Sequence, residues 1–120
     1  MAGFRMYRGE HKTWEVSVTE DGAALDLSGA GLFFELRRSY PTSQVTSSEG
    51  ALVEKSVGEG ITITNAAGGV FELELLSGDT NLLTPGNYYY GIEVIPSGES
   101  EARVIKQGRF RILADVVRGV

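Results

Sequence analysis

Apolar and polar residues alternate one for one through much of this chain, and that period admits few folds. In TWEVSVT, residues 13–19, Trp14, Val16 and Val18 fall on one side of an extended segment while Glu15 and Ser17 fall on the other. GLFFELRR, residues 31–38, sets Leu32, Phe34 and Leu36 against Glu35 and Arg37, and VFELELL, residues 70–76, sets Phe71, Leu73 and Leu75 against Glu72 and Glu74. A period of two is that of a β-strand with one buried face, and burial on one side only is characteristic of antiparallel sheets. Carried along the chain, the pattern predicts strands near residues 3–8, 12–19, 31–38, 51–56, 61–64, 70–76, 87–95 and 102–113, seven or eight in all.

Turn signals recur about every ten residues between these segments, as in an all-β sandwich or barrel. Asp21-Gly22 supplies the positive backbone angles of a tight hairpin, NAAGG (residues 65–69) can do the same in a longer loop, and PSGES (residues 96–100) separates the last two strands. No helical stripe is present. SGDTNLL, residues 77–83, could hold one capped turn, with Ser77 or Asp79 as the cap, but reads as a crossover loop. Residues 39–50, SYPTSQVTSSEG, offer little apolar surface and read as a mobile surface loop. The final strand alternates on both sides of Gln107-Gly108, and a glycine inside a strand signals a bulge or a close backbone approach, of which the bulge is the expected reading.

At 120 residues the chain is sized for one domain, residues 1–120, able to bury a core without disulfides or metal. Cysteine is absent, which removes thiolate chemistry and cysteine metal sites and fits synthesis in a cytosol. A net charge of −5 argues against nonspecific nucleic-acid binding. No apolar run approaches the roughly 20 residues that span a bilayer, and MAGFRMYRGEHK has no apolar signal core, so no membrane partner or secretion signal is expected.

The segment LLTPGNYYYGIEV, residues 82–94, raises the question of what three consecutive tyrosines do. In immunoglobulin-like sandwiches a tyrosine near the start of the penultimate strand turns its hydroxyl back to the backbone of the preceding crossover while its ring packs in the core. Tyr88 fits that position, sharing a face with Tyr90, Ile92 and Val94, and Trp14 with Phe34 offers the aromatic mass such a core needs. Tyr89 has the opposite parity and is the tyrosine of the three available to an interface.

Catalytic groupings are hard to assemble. His11 is the sole histidine, no G-x-S-x-G elbow exists, and GEGITI (residues 58–63) fails as a phosphate loop because Ile63 replaces the third glycine and a strand follows. Asp21, Asp26, Glu54, Glu59 and Asp79 form no dense calcium-ligand run, and Glu72 and Glu74 alternate outward on a strand where a glycosidase needs a cleft. The expectation is therefore a non-enzymatic protein with no cofactor, no metal and no small-molecule ligand. Charge is unevenly placed: Glu49 to Asp79 holds six acidic residues and only Lys55, whereas Arg103, Lys106, Arg109, Arg111 and Arg118 make the last strand and tail basic. A terminal strand lying at a sheet edge would present that basic run either for head-to-tail association or as charged edge protection. The candidate interface residues are Arg37, Arg38, Tyr40, Tyr89, Arg109 and Arg111.

The D-G hairpin followed by DLSGA, the crossover GVFELELLSGDTNLLTPGNYYYGIEV and the closing GRFRILADV together resemble the small immunoglobulin-like domains of tailed-bacteriophage virions. These include the N-terminal domains of upper-baseplate proteins and stand-alone structural proteins. The resemblance spans nearly the whole chain and rests on fold motifs, so it carries over no catalytic residue. It implies an all-β, immunoglobulin-like antiparallel β-sandwich that docks onto other virion proteins in many copies, made in the host cytoplasm and localised in the virion. Tail, baseplate or fibre-attachment region is the expected place. The alternatives are a capsid decoration or head-fibre protein and, in a different class, a carbohydrate-binding module using Tyr40, Tyr89 and the Ser/Thr loop.

Overall fold

The computed structural model describes residues 4–38 and 51–114. Its elements are β1 (Phe4–Tyr7), β2 (Lys12–Ser17), β3 (Thr19–Glu20), β4 (Ala23–Ala24), β5 (Gly31–Arg37), β6 (Ala51–Val57), β7 (Gly60–Asn65), β8 (Val70–Leu75), the single helical turn α1 (Ser77–Thr80), β9 (Gly86–Ile95) and β10 (Arg103–Leu113). The 39–50 loop, and Tyr40 within it, lie outside the described residues.

The fold is all-β. Eight strands make one sheet in the order β1-β10-β9-β5-β6-β7-β8-β2, nearly closed as a barrel, and β3 and β4 form a separate ribbon. The sheet is mixed, which corrects the wholly antiparallel expectation. β1 runs parallel to β10, pairing Phe4 with Phe110 and Met6 with Ile112, so that the apolar parities of the first and last strands point the same way. β6 and β7 meet in parallel over only two rungs, Ser56 with Gly60 and Val57 with Ile61, at a corner where Ser56 and Glu59 exchange backbone hydrogen bonds.

Sequence parity is reproduced throughout. Leu32, Phe34, Leu36, Phe71, Leu73, Leu75, Ile92, Val94 and Phe110 are wholly buried, and Val16, Tyr88, Tyr90 and Ile112 nearly so. The Asp21-Gly22 pair turns β3 into β4 with both residues at positive φ, 55° and 82°. The bulge lies elsewhere than expected: the β9–β10 register slips between Val104 and Lys106, whereas Gly108 pairs regularly with Tyr90. Gly108 instead serves a close approach, since a Cβ there would sit 3.3 Å from the Tyr90 ring.

The two unpaired edges of the sheet, β1 and β2, face each other across the gap in the barrel. Phe4 on β1 lies 5.1 Å from Trp14 on β2, centroid to centroid, and Lys12 Nζ donates to the Arg5 carbonyl at 3.5 Å. Tyr90 and Phe110 complete the cluster, 4.6 and 6.1 Å from Phe4. Rings here take the place of backbone hydrogen bonds.

α1 corrects the reading of residues 77–83 as plain loop. Asp79 caps it in reverse, its Oδ2 accepting the Leu76 N–H at 2.7 Å while the Asp79 N–H donates to the Leu76 carbonyl. Thr80 is the one buried polar residue among those described, and its Oγ1 accepts the Gly9 N–H at 2.9 Å, tying the turn to the β1–β2 connection.

The tyrosine corner is present. Tyr88 is 2 % exposed and its hydroxyl donates to the Thr84 carbonyl at 2.6 Å. Tyr88→Phe removes the donor of a part-buried hydrogen bond whose ring side is in the core, and is expected to cost about 1 kcal/mol in urea denaturation, with the fold retained by circular dichroism.

Asp26, in the DLSGA segment, accepts the Ser28 N–H at 2.9 Å. This bond, with a lesser contribution from the Ser28 hydroxyl, holds its carboxyl below the ordinary value of 3.8. A lowered pKa stabilises the folded chain above the ordinary carboxyl range, and the benefit is lost as pH falls through the lowered value. The stability gap between the wild type and Asp26→Ala is therefore expected to be widest near about pH 7 and to narrow toward about pH 2, measured by denaturation at both.

Candidate interaction surface

The parity that buries the core also assembles the outer face. Arg37 on β5, Tyr89 on β9 and Arg109 on β10 occupy one rung, each directly paired with the next. One rung along, Arg111 pairs with Asn87 on one side and with Arg5 on the other. Four of the six sequence candidates thus come together, joined by Arg5. Arg38 lies past the end of β5 with its guanidinium 5.7 Å from the Tyr88 ring, away from that row, and Tyr40 falls outside the described residues.

The members of the row differ in state. Arg37 is held: its Nε and Nη2 donate to Glu35 Oε1 at 3.0 and 2.6 Å, and its side chain is only 12 % exposed. Tyr89 is half-buried. Arg5, Arg109 and Arg111 are exposed and make no ion pair among the described residues. β10 is also not a plain edge strand, because β1 covers Phe110–Leu113 while the stretch before it has a partner only in β9. Arg111 therefore stands beside a second arginine, and Arg109 at the margin of the covered part.

Beside the row is a hollow of about 110 Å³, lined by Phe33, Tyr89, Val104 and Gln107 around Gly91. Gly91 is paired with Glu35 and Gln107, and having no side chain it leaves the floor between them open. On the far side of Phe33 a wider cleft of about 480 Å³ lies between β5–β6 and the start of α1, bounded by Glu35, Glu54, Glu59 and Glu74 with Leu76. Lys55 lines it too, but its ammonium is bound to Asp79 at 2.9 Å. His11 pairs with Glu74 at 2.7 Å, both largely exposed. No three His, Cys, Asp or Glu side chains among the described residues are placed to hold a metal.

The sequence pointed to the basic row but not to the cleft or to Arg5, which depend on the pairings β5–β6 and β1–β10 and have no local signature. No family model matches the chain, and no curated protein matches it.

A Cβ at Gly91 would meet nothing within 4 Å, and its φ is not positive. Gly91→Ala is therefore expected to be tolerated or to stabilise the fold by up to about 1 kcal/mol through the unfolded state, read as a shift in the urea midpoint.

Proposed function

We propose that this chain is a non-enzymatic structural module of a bacteriophage virion, an immunoglobulin-like sandwich that docks onto other particle proteins in the tail, baseplate or fibre-attachment region. The fold part of the reading is supported by the Tyr88–Thr84 corner and by the strand order. Divided at the two-rung β6–β7 contact, that order yields sheets β1-β10-β9-β5-β6 and β7-β8-β2, the A′GFC and BED arrangement of such a sandwich with a further strand beside C.

The observation that carries the functional part is the division between interior and surface. Among the described residues the buried set is apolar apart from Thr80 and the two tyrosine hydroxyls, whereas the outer face holds Arg5, Arg109 and Arg111, which make no ion pair there, together with Tyr89 and the Glu35-bound Arg37. Such a face recognises an acidic protein surface, and arginine and tyrosine are the residue types enriched where protein contacts are made. Repeated in many copies, modest contacts of this kind hold a component in place.

Quantitative mass spectrometry of purified particles of a phage encoding this chain tests the proposal. The protein is expected in the particle at a fixed copy number, and cross-links from Arg109-bearing peptides are expected to lead to tail or baseplate subunits. Cross-links to capsid subunits would replace that place with a head-decoration role, and absence from the particles would overturn the virion reading. Arg109→Glu with Arg111→Glu is expected to lower the copy number by about tenfold or more with the thermal transition unchanged, since exposed charges tune association more than stability.

A further inference from the structure

Like charges are segregated on this sheet, and in places they face one another. Arg5 is paired with Arg111, with Arg109 two residues away on the same face. Glu35 is paired with Glu54 across β5–β6. Like charges on directly opposed positions repel, and exchanging partners between strands would relieve each pair. Within the molecule Glu35 has Arg37, but Glu54 and Glu59 have no ion pair among the described residues, nor have Arg5, Arg109 and Arg111.

The two groups also match in apolar content. The acidic group rims the 480 Å³ cleft, whose wall carries two apolar side chains unusually open to solvent, Phe33 at 40 % and Leu76 at 49 % exposed. The basic group lies on a strand face that carries its own open aromatic, Tyr7 at 51 %, two residues along β1 from Arg5. In the sheet order β9 alone lies between β10 and β5, so the basic β1–β10 face and the acidic cleft on β5–β6 are neighbouring but distinct patches of one molecule.

We infer that the acidic cleft between β5–β6 and α1 is the receptor for the β1–β10 face of a second copy of this chain, a heterologous head-to-tail contact. Arg109 and Arg111 lie against Glu54 and Glu59, where guanidinium–carboxylate forks are available, and Tyr7 packs toward Phe33 and Leu76. A contact between unlike patches propagates from copy to copy, closing into a ring or continuing as a filament according to its rotation. The inference rests on the docking role proposed above but not on the virion as the place of docking.

Sedimentation of the full-length chain against concentration and salt tests it. Association is expected at low ionic strength, with the association constant falling at least about tenfold between about 0.01 and 1 M salt, over which the screening length drops from about 30 to 3 Å. Arg109→Glu/Arg111→Glu and Glu54→Lys/Glu59→Lys are each expected to be folded and monomeric where the wild type associates. An equimolar mixture of the two is expected to associate again, because each variant's altered patch then meets an opposite charge. Should a reversal variant fail to fold, the neutral changes Arg109→Gln and Glu54→Gln read the same contact, each raising the dissociation constant about tenfold. A wild type monomeric at about 1 mM and low salt, or a mixture that stays monomeric, would overturn the inference. A monomer that is nonetheless incorporated into particles would leave the virion proposal standing, and an assembling chain never found in particles would do the reverse.

Discussion

Everything on the outside of this protein depends on a ring cluster inside it. Phe4, Trp14, Phe34, Tyr90 and Phe110 lie with neighbouring centroids 4.6 to 6.3 Å apart and come from five different strands, including both ends of the sheet. A sheet of eight strands has two edges whose backbone groups need covering or charge. Here the ends turn toward one another and aromatic packing spans the gap, with tilted and edge-to-face geometries that suit ring quadrupoles. Once those rings point inward, period-two geometry sends Arg5, Tyr89, Arg109 and Arg111 outward.

The corners are fixed by contacts of a different kind. Gly69, at φ 72°, sits where a Cβ would lie 2.5 Å from the Val18 carbonyl oxygen and 2.8 Å from that of Leu25, so three passes of chain meet over a residue that has to be glycine. Its own carbonyl accepts the Val18 N–H at 2.8 Å. At the other end, the Lys55 stem packs on Gly60 while its ammonium reaches Asp79, and Thr80 holds the Gly9 N–H. One helical turn thus clamps β6 and the β1–β2 connection together, and in doing so it neutralises the lysine that would otherwise offset the carboxylates of the cleft.

Strand positions and the tyrosine corner were legible in the sequence because both are set by local rules: alternation fixes which side chain is buried, and a tyrosine just past Pro85-Gly86 has a backbone carbonyl within reach four residues back. The hairpin at Asp21-Gly22 was legible for the same reason. What could not be read was pairing. The parallel seating of β1 on β10 brings residues more than a hundred positions apart into register, and it alone sets Arg5 beside Arg111. Gly108 shows the limit of a local rule: glycine in a strand signals either a bulge or a close approach, and only the position of the Tyr90 ring decides between them. The basic row was visible as composition, but its division into a held Arg37 and freely exposed Arg109 and Arg111 depends on where Glu35 falls.

The sheet holds the charges of the outer face in fixed positions. The charged groups sit on paired strands whose backbone is fixed by the core, so binding at them would require little further ordering of the chain, and ordering is a principal cost of association. The same rigidity prevents opposed like charges from moving apart to relieve themselves. Arg5 and Arg111, or Glu35 and Glu54, can turn their side chains toward solvent, but the Cα atoms of each pair remain opposed on one rung of their ladder. Arg37 offsets Glu35 within the molecule, whereas Glu54, Arg5 and Arg111 have no ion pair among the described residues, so at those positions the repulsion is screened by solvent and salt alone.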